Sequence, residues 1–223
     1  FIGDNFEGSQ IAFSKKYFKN LNLFSNSKKL NIKGRLGDFP ALNIKKTFLG
    51  LNIIQIESEM NYINYNGLLK FEVFSRKKGY RNLVNTHKEK NYPDNFVESY
   101  KRYAKSLVSV DSIDGNDVDT NMELELIFLD NPLKNLKESK RILLEYQNKI
   151  LINHQVSIMS LSVDNFKKEF LKTNDEGYIE FFFKKDTKYL IESVVIIEGS
   201  NKKKDKYAKW HSLWASYTFK TPN

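Results

Sequence analysis

Apolar and polar residues alternate with a period of two through most of the C-terminal half of the chain. In "MELELIF", Met122, Leu124, Leu126 and Phe128 share one side, while Glu123 and Glu125 take the other, the pattern of a half-buried strand. "RILLEYQNKILINHQVSIMSLSV" predicts two strands around a polar Gln-Asn-Lys turn, and "KTNDEGYIEFFF" sets Asn174 to Gly177 as a hairpin turn before Ile179, Phe181 and Phe183. "TKYLIESVVII" predicts another strand, and the lysine-rich loop "EGSNKKKDK" leads into a last one. Six or seven short strands at regular spacing, with no helical period between them, predict a β-sandwich.

The last strand, "KWHSLWASYTF" (209–219), can be divided by face. Alternation puts Trp210, Ser212, Trp214 and Ser216 on one side, and His211, Leu213, Ala215, Tyr217 and Phe219 on the other. The second set is the natural core face. The tryptophans then cover the opposite face, where they are expected to form an interdomain or ligand surface.

The N-terminal half is mixed. "QIAFS", "YFKNLNLFS", "PALNIKK" and "LNIIQIES" read as strands, with a Gly-Asp-Phe-Pro turn at 37–40. The period then changes. "NGLLKFEVFSRKKG" spaces Leu68, Phe71 and Phe74 three apart and ends at Gly79, which predicts a helix with a C-terminal glycine. A second short helix is expected in "RNLVNTHKEK", before "YKRYAKSLVSV" returns to alternation. Between the halves, "SVDSIDGNDVDTNMELE" (109–125) is acidic, lacks aromatics and contains an Asp-Gly pair, as an interdomain linker would. The expected organisation is therefore mainly β. A first domain over 1–112 carries a helical insertion at about 66–90, an acidic linker spans 113–120, and a second domain covers 121–223.

With 223 residues, 40% of them hydrophobic and 14% aromatic, the chain can bury a substantial core. Its longest apolar runs, such as "LIESVVII" (190–197), are far shorter than a membrane span. There is no cysteine, hence no disulfide and no thiolate chemistry. The formal charge of +9 comes almost wholly from lysine, which is spread along the chain and accompanied by abundant Asn and Ile, while arginine is scarce. That is a coding bias and a generic surface charge rather than a phosphate-reading patch, so nucleic acid is not an expected partner.

Candidate chemistry is sparse. His87, His154 and His211 are the only histidines, and no two have the close spacing of a ligand pair. His211 and His87 are nevertheless the candidate ligands for a divalent metal ion, against half-burial of His87, a solvated His154 and a strand-capping role for His211. Asp117 and Asp119 alternate like calcium ligands, but Met122 and Phe128 stand where a calcium loop needs glycine and glutamate. No nucleophile elbow, phosphate loop or zinc-protease pair is present, and no carboxylate pair stands out for glycoside hydrolysis.

"SYKRYAKSLVSV", "ELELIFLDNPL", "ILLEYQNKIL", "KTNDEGYIEF" and "WHSLWASYTF", in that order, resemble an uncharacterised bacterial envelope family labelled by inference a periplasmic component of cobalt and nickel uptake. "FIGDNFEG" and "GLLKFEVFSRKKG" also fit its pattern. The resemblance implies two β-sandwich domains, Ig-like or prealbumin-like, the second similar to modules that accompany carboxypeptidases. It implies an exported periplasmic protein with its signal peptide removed, consistent with a chain opening at Phe1. Family members resemble partners of outer-membrane nutrient receptors. The tail departs from the family pattern, reading Trp210-His211-Ser212 where Trp-Glu-Ser is usual. The resulting expectation is a non-enzymatic binding or accessory protein for uptake of a transition metal or small nutrient. The alternative is a structural subunit docking on a larger envelope or outer-membrane receptor assembly. An enzyme acting on envelope polysaccharide ranks third.

Overall fold

The computed structural model describes residues 6, 8, 12–26, 28–45, 47–163, 165–199 and 207–223. In chain order its strands and α-helices are β1 (Phe18–Ser25), β2 (Lys28–Asn31), β3 (Gly50–Ser58), β4 (Asn61–Asn66), α1 (Leu69–Lys77), α2 (Leu83–Glu89) and β5 (Asn95–Val110), followed by β6 (Leu124–Phe128), β7 (Lys140–Tyr146), β8 (Lys149–Ile150), β9 (Gln155–Ser162), β10 (Asn165–Lys172), β11 (Tyr178–Phe181), β12 (Lys188–Glu198) and β13 (Ala208–Lys220). The chain is mainly β, as the period-two pattern predicts. The described parts of "QIAFS" and "PALNIKK" are irregular, whereas the polar "NYINYN" forms β4. The expected loop "EGSNKKKDK" lies largely outside the described residues.

Two sheets form. The larger runs β10-β9-β12-β13-β5-β3-β1-β2, with β4 also on β5; the smaller runs β11-β7-β6, with β8 on β7. Among the described residues every pairing is antiparallel except β13 with β5, which runs parallel from Ala208↔Val97 to Thr218↔Ser106. β5 is long enough to pair twice along one edge, with β4 through residues 95–100 and with β3 through 103–110. Strands from both sides of the acidic 113–120 stretch therefore share one continuous sheet.

The sheets pack face to face over a single apolar layer. Tyr103 and Leu107 of β5, Leu213, Ala215, Tyr217 and Phe219 of β13, and Tyr189 and Ile191 of β12 meet Leu124, Leu126 and Phe128 of β6 and Ile142 and Leu144 of β7. Phe128 is packed edge-on to Tyr217 and Phe219, at 4.9 and 5.4 Å between ring centroids, a favoured aromatic geometry. The Gln147-Asn148 turn between β7 and β8 has positive φ at both positions (51° and 60°), the twist that a two-residue hairpin demands. Asn174 accepts from the Glu176 and Tyr178 amides at 3.1 Å and starts the turn into β11.

The other face of the large sheet carries α1 and α2. Phe71 of α1 and Val84 of α2 bury against Tyr65, Phe96, Val194, Ile196 and Trp210. Gly79, at φ +93°, lets the chain leave α1, with Tyr80 N–H bonded to Ser75 O at 2.9 Å. The insertion expected at 66–90 is thus a helical pair laid on the sheet, with its apolar spacing of three turned inward.

Candidate functional site

In β13 the tryptophans and the Leu213-to-Phe219 set occupy opposite faces, as alternation predicts. The tryptophans do not line an open groove, however. Trp210 is 3% exposed. It stacks on Phe71 at 6.0 Å and donates Nε1–H to His87 Nδ1 at 2.9 Å. Trp214 is half-buried, stacked on Phe74 at 5.5 Å, with the Lys78 ammonium 4.4 Å and the Arg102 guanidinium 5.1 Å from its ring centre. The face of β13 expected to offer an interdomain or ligand surface is covered by α1 and α2.

The histidines fall in separate places. His87 is fully buried, and its Nε2 lies 3.0 Å from Pro93 O. An indole N–H can only donate and a carbonyl can only accept, so Nδ1 is the acceptor, Nε2 carries the proton, and both nitrogens are used. His211 Nδ1 lies 3.0 Å from Ser99 Oγ and 3.2 Å from Ser99 O. Because Trp210 and His211 are consecutive in a strand, their side chains leave opposite faces, and His87 stands on the Trp210 side. The two expected metal ligands are not brought together. His154 is not solvated as expected. It is half-buried, and Nε2 donates to Val194 O at 3.1 Å, covering a stretch of β12 that β9 does not reach. Burial holds its imidazole below the ordinary value despite that bond.

The acidic stretch is only partly solvated. Lys105, fully buried in β5, places Nζ 2.9 Å from Asp117 Oδ1 and 2.8 Å from Glu125 Oε1, and donates to Val118 O at 2.8 Å. Asp117 also accepts from the Val118 and Phe128 amides at 2.8 and 2.9 Å. Glu125 accepts from the Thr120 and Met122 amides, each at 3.0 Å. Glu125 was expected on the solvent side of β6, but it is 1% exposed, because the linker folds over it. Burial raises Asp117 above the ordinary carboxylate range even beside the ammonium. The position offered to calcium at Asp117 is thus taken by a lysine. Asp119 turns outward and accepts from Asn121 N–H at 2.7 Å. Among the described residues no group of three or more His, Asp or Glu is arranged to hold a metal ion.

A second buried carboxyl lies on the helix side of β5. Glu98 is 2% exposed. It accepts from Ser212 Oγ, which in turn accepts from Trp214 Nε1 at 3.0 Å. Burial pushes Glu98 above its ordinary value, and the hydrogen bonds of Ser212 and Tyr65 oppose that rise.

Two of the depressions on the described surface bear on a ligand site. One, of about 260 Å³, is apolar and floored by Leu23, Ile54 and Val108 beneath Leu42 and Ile44. Its one amide, Asn52, is consumed by Phe48 and Gly50 of the adjoining backbone. The other, of about 460 Å³, is polar and lies where the β6–β7 connection meets the acidic stretch and β11. Arg141 grips Asp130 there through Nε and Nη2, each at 3.0 Å, and holds that carboxyl below the ordinary range. Asn131 Nδ2 bonds Ile113 O and Gly115 O at 2.8 Å, fixing this rim to the acidic stretch. Lys140 also lines this depression, with its side chain 5% exposed and Nζ 4.0 Å from Glu138 Oε2.

Sequence reasoning missed Lys105, Glu98 and Lys140, yet each has a readable signal. Lys105 stands in phase with Tyr103 and Leu107, Glu98 with Phe96, and Lys140 with Ile142 and Leu144. Each is an ionisable residue on the buried phase of a strand.

The fold is a two-sheet β-sandwich with a helical pair on its outer face, and no helix among the described residues is long and apolar enough to cross a membrane. The chain belongs to the family described as domain of unknown function (DUF4198), whose model it matches over residues 1–196. No curated protein and no solved structure matches it.

Proposed function

We propose that this chain is a non-catalytic binding or accessory protein of the cell envelope, working in the periplasm beside outer-membrane receptor or transport components, and serving uptake of a small polar solute. The observation that carries this reading is the polar depression of about 460 Å³, a volume suited to a small ligand, formed by the β6–β7 connection at one end of the small sheet. In the same reading, residues 121–223 are a prealbumin-like module whose large sheet is completed by β5 and β3. Cobalt or nickel as cargo is the weaker branch. Both nitrogens of His87 are engaged, and His211 points to the other side of the sheet.

The test is a thermal-shift titration of the purified chain with sugars, sugar acids, amino acids, nickel and cobalt. Saturable stabilisation by an organic solute, with no chemical change in it, supports the reading. Turnover of a bound solute removes the non-catalytic assignment, and stabilisation by nickel or cobalt alone restores the metal branch.

One observation favours docking as a second reading. No described strand covers the outer edge of β10, whose residues are mostly exposed, and β4 leaves Tyr62 and Ile63 exposed beside its own edge. Recovery of a stable complex from native membranes, lost when β10 is given a proline, would favour docking over solute capture.

A further inference from the structure

We infer that the polar depression beside β7 binds a small hydroxylated monocarboxylic acid, with the Lys140 ammonium as the anchor for its carboxylate. The inference rests on the solute-binding reading above and names the chemistry that the site selects.

Lys140 opens β7, and its Cα partner across the ladder is Phe181. The strand's pleat sends its stem inward beside Ile142 and Leu144, so its side chain is 5% exposed. The ammonium itself is not wholly buried, since among the described residues the wholly buried side-chain polar atoms without a partner are Glu98 Oε2 and Tyr217 OH. At the end of so buried a stem it meets little water, and a hydrogen-bonded negative charge close by would stabilise it. Among the described residues the only carboxylate oxygen within 4.0 Å is that of Glu138, and 4.0 Å is beyond hydrogen-bond reach. Glu138 itself is 69% exposed, so water competes for its charge. The nearby Asp130 is already committed to Nε and Nη2 of Arg141. Lys105, the other buried lysine among the described residues, shows what full compensation looks like, with two carboxylates and a carbonyl within 2.9 Å. Lys140 has a cavity where Lys105 has partners.

The lining sets the rest of the ligand. Lys134, Lys140 and Arg141 are balanced by Asp130, Glu138 and Glu180, so the depression has no net charge to attract a polyanion. Glu138 and Glu180 repel a second negative group but accept hydrogen bonds from hydroxyls, as do the amide oxygens of Asn116 and Asn135. No aromatic ring lines the site to stack an apolar body. One negative charge on a hydroxyl-rich frame satisfies every part.

The experiment is calorimetric titration of the full chain with gluconate, glucose, citrate and inorganic phosphate. Gluconate is expected to bind saturably, with a Kd of about 1 mM or tighter. Lys140→Met should weaken it by at least about tenfold, Lys140→Arg should recover part of the loss, and glucose should not compete. Lys70→Ala, at an exposed lysine of α1 that does not line the depression, serves as the charge control and is expected to leave gluconate binding near wild type. Should Lys140→Met fail to fold, gluconate titration of the unaltered protein followed by NMR of the lysine side-chain Cε–H groups reads the same contact. A shifted Lys140 resonance supports the site, and a stationary one overturns it. Gluconate binding unaffected by Lys140→Met, or equal binding of citrate or phosphate, overturns the assignment. Saturable binding of glucose that ignores Lys140→Met removes the anion anchor while leaving the uptake reading in place. Binding of none of the four probes overturns the inference, and a silent wider solute panel overturns the uptake reading with it.

Discussion

The indole Nε1–H of Trp210 donates to His87 Nδ1 at 2.9 Å, tying β13 to α2 through two interior rings. The bond is local in space but joins residues 123 apart in sequence. Trp210→Phe keeps an aromatic ring against Phe71 and leaves the His87 nitrogen without a donor. The expected cost is about 1–3 kcal/mol, the usual penalty for a stranded buried polar atom. Urea unfolding followed by circular dichroism measures it, and an unchanged midpoint would show that the bond contributes nothing net.

Lys105 allows a sharper contrast. Lys105→Met leaves Asp117 and Glu125 buried without their cation, and should destabilise the protein by about 3–5 kcal/mol. Adding Asp117→Asn and Glu125→Gln to Lys105→Met removes all three charges and should recover most of that loss, since replacing a whole buried ionic group is often close to neutral. The measurement is equilibrium denaturation of both variants. Equal instability of the single and triple variants contradicts the account.

Glu98 predicts a pH effect of definite sign. Its folded-state value is raised by burial, so the folded chain holds the proton more tightly than the unfolded chain. The associated stability is fully present below pH 4.5, the ordinary value, and is lost as pH rises from there through the raised one. Glu98→Gln keeps a hydrogen-bonding amide and abolishes this titration. Wild type should therefore lose stability relative to Glu98→Gln as pH increases across that window. Parallel pH dependences for the two proteins would dismiss the claim.

His154 acts in the opposite direction. Burial lowers its folded-state value below 6.5, so its contribution is present above pH 6.5 and is lost as pH falls from there through the lowered value. His154→Gln, which can still donate to Val194 O, should be less sensitive to acid than wild type. Thermal melts at about pH 7.5 and about pH 5.5 bracket the upper part of the change.

Much of the fold was legible because strand burial repeats every two residues and leaves a local trace. The face of β13 is an example, with Leu213, Ala215, Tyr217 and Phe219 in the core as their spacing requires. Gly79 marked the end of α1 for a similarly local reason, its positive φ. Partner choice leaves no such trace. Ser99 and His211 are neighbours across the parallel β5–β13 pair although 112 positions separate them. The polar β4 was missed because its residues are mostly exposed and it is held by pairing with β5 rather than by burial. The candidate site was less legible still. Asp117 reads from the sequence as a calcium-like ligand in an acidic linker, since its lysine partner lies 12 residues back, in β5. Lys140 was overlooked because lysines are abundant in this chain, although its place ahead of Ile142 and Leu144 marks it as different.

The position of β13 within the large sheet bears on how the chain is made. It is wedged between β12 and β5, so the sheet before its arrival consists of two unjoined pieces, β10-β9-β12 and β5-β3-β1-β2. A ribosome releases β5 roughly a hundred residues before the strand that completes it. The nascent polypeptide holds these pieces unjoined over that interval, and final closure awaits the aromatic segment of β13, which ends at Lys220.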